Sequence, residues 1–119
     1  MSTERMRRVN EVLKRELSVA LEKTLAGEVD ALVTVTGVST ASDLRHAKVL
    51  VSVMGSDEQR QQVLDKLEEY RPEFQDRIAR NVTLKFTPVL RFELDLTPEH
   101  ADHIMSIIDE LDIPEDDNS

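Results

Sequence analysis

A chain of 119 residues is one domain's length, with room for a modest core. The absence of cysteine excludes disulfides, thiolate zinc sites and cysteine nucleophiles together, and fits a reducing compartment. The net charge of −9 argues against a nucleic-acid partner until its distribution is read: residues 93–119 hold ten acids and no Lys or Arg, while residues 1–92 set the other 14 acids against all 15 bases, so the body of the chain is balanced and able to carry a basic face.

Aromatic residues are only 3%, so Val, Leu and Ile must fill the core. The start, MSTERMRRVNEVL, has no apolar signal core and reads as a mature N-terminus. Residues 4–25 form an amphipathic pattern, with Met6, Val9, Leu13, Leu17, Leu21 and Leu25 on one stripe, Thr3 as a candidate cap and Gly27 just past the end. Its outer face carries Arg5, Arg7, Arg8, Lys14 and Arg15 among Glu11 and Glu22. A solvated helix surface and an RNA-contacting one explain those charges equally well, and both readings stay open at this point.

Two β-branched runs follow, Ala31–Thr36 and Ala47–Val53. Each alternates with period two, which predicts strands buried on one face. Ala31, Val33 and Val35 face inward in the first. Ala47, Val49, Val51 and Val53 face inward in the second, with Lys48 and Ser52 outward. Gly37–His46 is the polar connector between them. Gly55-Ser-Asp57 opens a helix over Glu58–Tyr70 with Val63, Leu64, Leu67 and Tyr70 inward. Arg71-Pro72 interrupts it, which predicts a kink and a second short helix, Pro72–Arg80, with Phe74 and Ile78 inward and Arg77 and Arg80 outward.

Val82–Leu94 reads as a third strand, with Leu84, Phe86, Leu90, Phe92 and Leu94 inward. Pro88 in its middle requires an edge position or a bulge, because proline cannot donate to the ladder. Thr97-Pro98 opens a last helix with the stripe Ala101, Ile104, Met105, Ile108 and Leu111. The expected organisation is a domain over 1–96, an acidic helix over 97–112 packed on or beside it, and a disordered acidic tail over 113–119. The fold class is α+β, a three-stranded sheet with helices on its apolar face, in the order αββααβ plus a C-terminal helix.

These residues, in this order, resemble the ribosome-binding factor A family of bacterial small-subunit assembly factors. The resemblance rests on Arg8-Val9, Val33-Thr-Val-Thr-Gly-Val38, Ser42-Asp43-Leu44, Ala47-Lys48-Val49 with Val51-Ser52, Leu84-Lys85, and Pro88 followed by Leu90 and Phe92. It spans most of residues 5–94. It implies a type II KH-like fold with a mixed sheet and a kinked helix pair in place of the Gly-x-x-Gly loop. The chain's three glycines, Gly27, Gly37 and Gly55, all lie away from Tyr70–Pro72. It also implies a non-enzymatic cytoplasmic factor linked to growth in the cold. Such a factor binds the immature small ribosomal subunit and its rRNA transiently and aids late rRNA processing.

The candidate RNA-binding side chains are Arg5, Arg7, Arg8, Lys14 and Arg15 on the first helix, Arg45, His46 and Lys48 around the connector, and Arg77, Arg80 and Lys85 further on. A structured RNA is met mostly through phosphates and shape, and arginine's planar fork holds two phosphate oxygens. The acidic C-terminus reads either as a solubilising face or as a competitor for the basic surface.

Catalytic patterns are weak. His100 and His103 sit three apart on an acidic helix with nothing to complete a coordination shell, so no metal or other cofactor is expected. Ser39, Ser42, Asp43 and His46 hold the letters of a catalytic triad. They share one short connector, where Ser42 and Asp43 are better read as turn caps. No phosphate-cradling glycine motif and no apolar run near the roughly 20 residues of a membrane span is present. The expected state is a monomer. The competing reading is a protein-interaction module of α+β fold with no nucleic-acid role.

Overall fold

The computed structural model of the chain describes residues 3–96. Helix α1 (Thr3–Leu25) leads into β1 (Leu32–Thr40) and β2 (His46–Met54). Then come α2 (Asp57–Glu69), α3 (Arg71–Asn81) and β3 (Val89–Leu94), so the order is αββααβ. The sheet is mixed, with β2 in the middle, antiparallel to β1 and parallel to β3. The buried residues of all three helices join the inward residues of the strands in a single cluster. All three helices therefore cover one face, and the other face of the sheet is open among the described residues.

Ala47, Val49, Val51 and Val53 are buried as the alternation predicts. Against them pack Leu13, Leu17 and Leu21 of α1, Val63 and Leu67 of α2, and Phe74 and Ile78 of α3. Each such side chain stabilises the fold by about 1.5–3 kcal/mol. Phe74 and Phe92 meet edge-to-face with ring centroids 5.7 Å apart, which ties α3 to β3.

β1 is longer than the sequence pattern shows, because its alternation changes phase. Val35 opposes Val51, but Gly37 opposes Leu50, so Thr36 is an extra, bulged residue. Beyond the bulge, Val38 and Thr40 take the inward positions. The connector shrinks to the turn Ala41–Arg45, in which Leu44 N–H donates to Ala41 C=O at 2.8 Å. Asp43 caps this turn as expected, its carboxylate accepting from Arg45 N–H at 3.0 Å. Leu44 sits at φ 65°, a left-handed conformation rare for leucine, with its side chain buried.

α2 starts with a capping box, Ser56 and Gln59 each bonding the other's backbone N–H. The kink is at Tyr70, whose N–H donates to Lys66 C=O while its own C=O accepts from Glu73 and Phe74. Pro72 falls in the first turn of α3, where its missing N–H leaves no gap. The Tyr70 side chain is held by Glu28, which also pairs with Lys66 at 3.2 Å.

Two sequence expectations are corrected. The third strand begins at Val89, not Val82: residues 82–88 are irregular, so Leu84 and Phe86 are not strand residues. Pro88 stands just before the strand, and β3 is an edge strand among the described residues. Ser52 points outward in the alternation yet is buried. The expected C-terminal helix and tail lie outside the described residues.

Two measurements test this arrangement. Val51→Asp should abolish cooperative urea unfolding followed by circular dichroism. A buried unpaired carboxylate costs several kcal/mol, against a total stability of about 5–15 kcal/mol. The second concerns pH. Hydrogen bonds from Lys66 and Tyr70 hold the Glu28 carboxyl below its ordinary range, and the same bond to Glu28, with Glu69 nearby, raises Lys66. The Glu28 contribution is thus present above about pH 4.3, the unfolded value, and is lost as pH falls through the lower folded one. The Lys66 contribution is present below about pH 10.4 and is lost as pH rises through its folded value. Glu28→Gln should flatten the acid limb of the stability–pH curve, read from unfolding midpoints between about pH 3 and 6.

Candidate nucleic-acid interface

The first two turns of α1 carry Arg5, Arg7 and Arg8, all exposed. They are brought to the β1–β2 turn by Asn10, whose side-chain oxygen accepts from Thr40 N–H at 3.0 Å. At that same end of the sheet lie Arg45, His46 and Lys48. The loop after α3 joins them through Phe86. The Arg45 guanidinium lies 4.2 Å from the Phe86 ring centroid, and the Lys85 ammonium lies 5.6 Å from it. Both cations are thus held by the ring's quadrupole while their donors still face water.

α1 and α3 run antiparallel: Arg77 and Asn81 of α3 both donate to Glu16, each at 3.2 Å, while Glu73 and Phe74 lie beside the later residues Ala20 and Thr24. Lys14 and Arg15 continue the basic surface along α1 from the end patch. Arg77 and Arg80 form a second group beside Lys23 on the outside of the helix layer. The structure therefore brings seven of the eleven expected residues to one end, sets two next to them and leaves two apart.

Several of these cations are already engaged. Arg7 pairs with Glu4 at 2.7 Å, Arg80 with Asp76 at 3.0 Å, and Arg77 with Glu16 at 3.2 Å. The exposed pairs of Arg7 and Arg80 contribute about 0–1 kcal/mol each and exchange readily for a phosphate, while Arg77–Glu16 is part-buried between two helices. Arg8, Lys14, Arg15 and Lys48 form no ion pair among the described residues.

Around Lys48 the surface is concave. A cavity of about 560 Å³ is lined by His46, Lys48 and Arg91 with Arg71, Glu68 and Glu93. Lys48 and Arg91 are neighbours in the parallel register of β2 and β3. Arg91 lies 3.6 Å from Glu93, and Arg71 lies 3.2 Å from Glu68. The sequence marks Arg91 as outward-facing but gives no reason to set it beside Lys48, since that depends on register. Asn10 was equally hidden: a half-buried polar residue in a helix gives no sign that it will hold a strand end.

Gln75 was also missed. Its side chain donates to Pro88 C=O at 2.9 Å and accepts from Leu90 N–H at 2.7 Å, standing in for a missing strand at the β3 edge. Among the described residues no group of three or more His, Asp or Glu side chains is placed to hold a metal ion. His100 and His103 lie outside them.

The sequence profile of the family described as "Ribosome-binding factor A" matches residues 5–108. The chain belongs to the ribosome-binding factor A family. The protein of that name from Opitutus terrae is 38% identical over 105 residues, covering 88% of this chain and 85% of the relative. That from Caldicellulosiruptor bescii is 36% identical, covering 100% and 92%. The crystal structure of ribosome-binding factor A from Thermus thermophilus has the same fold, with a TM-score of 0.64 at 24% identity over 75% of this chain and 94% of that one. A solution structure from Thermotoga maritima superposes with a TM-score of 0.54 at 29% identity, over 71% and 84%. The family's fold thus accounts for the αββααβ order that the resemblance implied.

Gln75→Ala should leave the Pro88 carbonyl and the Leu90 N–H without partners, at a cost of about 1–3 kcal/mol. A urea midpoint and faster amide exchange at Leu90 are the readouts.

Proposed function

We propose that this chain is a ribosome assembly factor that binds the immature small ribosomal subunit through its rRNA and aids late maturation of that RNA. Binding is transient, takes place in the cytoplasm and involves no covalent chemistry by the protein. Family membership supports the ribosomal partner. The observation that carries the RNA contact is the gathering of Arg5, Arg8, Arg45, His46, Lys48 and Lys85 at one end of a chain whose net charge is −9. A protein with that overall charge meets RNA only through a local basic surface, and this end supplies one. No helix among the described residues is long and apolar enough to cross a membrane.

The mechanism follows from the side chains. Arginine forks and lysine ammonium groups take phosphate oxygens and release counterions, so affinity falls with salt. Phe86, clamped between two cations, fixes where those charges stand. The kinked α2–α3 junction has no glycine loop to cradle a backbone, so binding there falls to side chains such as Arg71.

Co-sedimentation with immature and mature small subunits at low and moderate salt tests the reading. Immature subunits should be preferred and binding should weaken with salt. Replacing Arg5, Arg7 and Arg8 together by Ala should lower affinity without unfolding the protein. It should also reduce the log–log salt slope by about 0.7–0.9 for each phosphate the variant no longer neutralises. A wild-type slope in that variant would remove α1 from the interface. Absence of association in every condition would leave the protein-interaction reading in its place.

A further inference from the structure

The helix-free face of the sheet is more apolar than a solvated face needs to be. Five large apolar side chains are exposed among the described residues, and the alternation puts three of them on this face: Leu32 (67%), Met54 (50%) and Val89 (46%). Leu32 and Met54 oppose each other directly in the β1–β2 ladder, with Leu50 further along β2 on the same side. An apolar pair of this size on an open face is surface that a further layer covers.

A side chain at the end of β3 reaches across this face. Asp95 follows Arg91 and Glu93 in the period-two alternation and so projects to the open side. Its N–H donates to Val51 C=O at 2.7 Å, which keeps it beside β2. Its carboxylate accepts from the Thr36 hydroxyl of β1 at 2.6 Å. β3 and β1 are two strand spacings apart, about 10 Å, so this bond requires Asp95 to lean across β2. Ser52 of β2, outward-facing and next to Val51 in sequence, is only 6% exposed. Residue 96 therefore stands at the end of β3 beside the open face, and 23 residues of the sequence follow it.

We infer that this face is the docking site of the chain's own C-terminal segment, residues 98–112. The segment lays Ala101, Ile104, Met105, Ile108 and Leu111 on Leu32, Leu50 and Met54. Those five positions share one stripe at helical spacing, after Thr97-Pro98, a helix-start signature. Fifteen helical residues span about 22 Å, enough to lie along β1 and β2 from where the chain arrives. The face is mixed in charge, with Lys48 and Arg91 beside Glu93 and Asp95, so the apolar stripe and not charge carries the contact.

The test uses the full-length chain, which has no native cysteine. A nitroxide is attached at Ser106→Cys, off the apolar stripe, and amide signals are followed by NMR with and without Ile104→Asp and Ile108→Asp. Docking predicts loss of the Leu32, Leu50 and Met54 signals while those of Val19 and Lys23 on the outer side of α1 persist, and recovery of the lost signals when the two aspartates are added. Broadening centred on another face overturns the inference. So does broadening unchanged by the aspartates, or broadening seen only between labelled and unlabelled chains, which would make a second copy the occupant. The outcome is independent of ribosome binding, since no RNA is present.

Discussion

Everything in this domain depends on β2 being hydrogen-bonded on both sides and buried on one. Its four inward residues, Ala47, Val49, Val51 and Val53, are small or β-branched, so they make a flat apolar floor. Three helices can lie on that floor only if the strands on either side extend it. β1 does so from the antiparallel side, through a five-residue turn. β3 does so from the parallel side, and a parallel neighbour needs a long crossover. The α2–α3 pair is that crossover, and the kink at Tyr70 folds it back over the core within the length available.

How much of this was legible depended on whether the cause was local. The two Val-rich runs, the stripes of the first three helices and the break near Arg71-Pro72 are local patterns, and the structure matches them. The phase change in β1 was not visible: on either side of Thr36 the residues are Val, Thr, Gly and Val, which read equally well with or without an extra residue. The third strand was overextended because Leu84 and Phe86 continue its alternation. They are half-buried instead by packing from irregular chain, and Phe86 is engaged by Arg45, forty-one residues earlier in sequence.

The candidate interface shows the same division. Composition identified the cations and could not say which stand together. Their grouping is set by long-range interactions, the Asn10–Thr40 bond and the Phe86 ring among them. It is also set by the parallel register that puts Lys48 beside Arg91. Arg77 reads in the sequence as a free outward charge. The structure gives it a bond to Glu16, because α3 lies antiparallel to α1 at hydrogen-bonding distance.

The bulge at Thr36 also bears on how molecules in solution treat one another. Among the described residues β1 has a sheet partner on one side only, and an uninterrupted edge is a template for a strand from another chain. With one residue inserted, the N–H and C=O groups of residues 32–35 and 37–40 no longer fall into a single register. An incoming strand can match one half or the other, never the whole edge. The irregularity that hid β1's true length in the sequence thus works as a guard against aggregation.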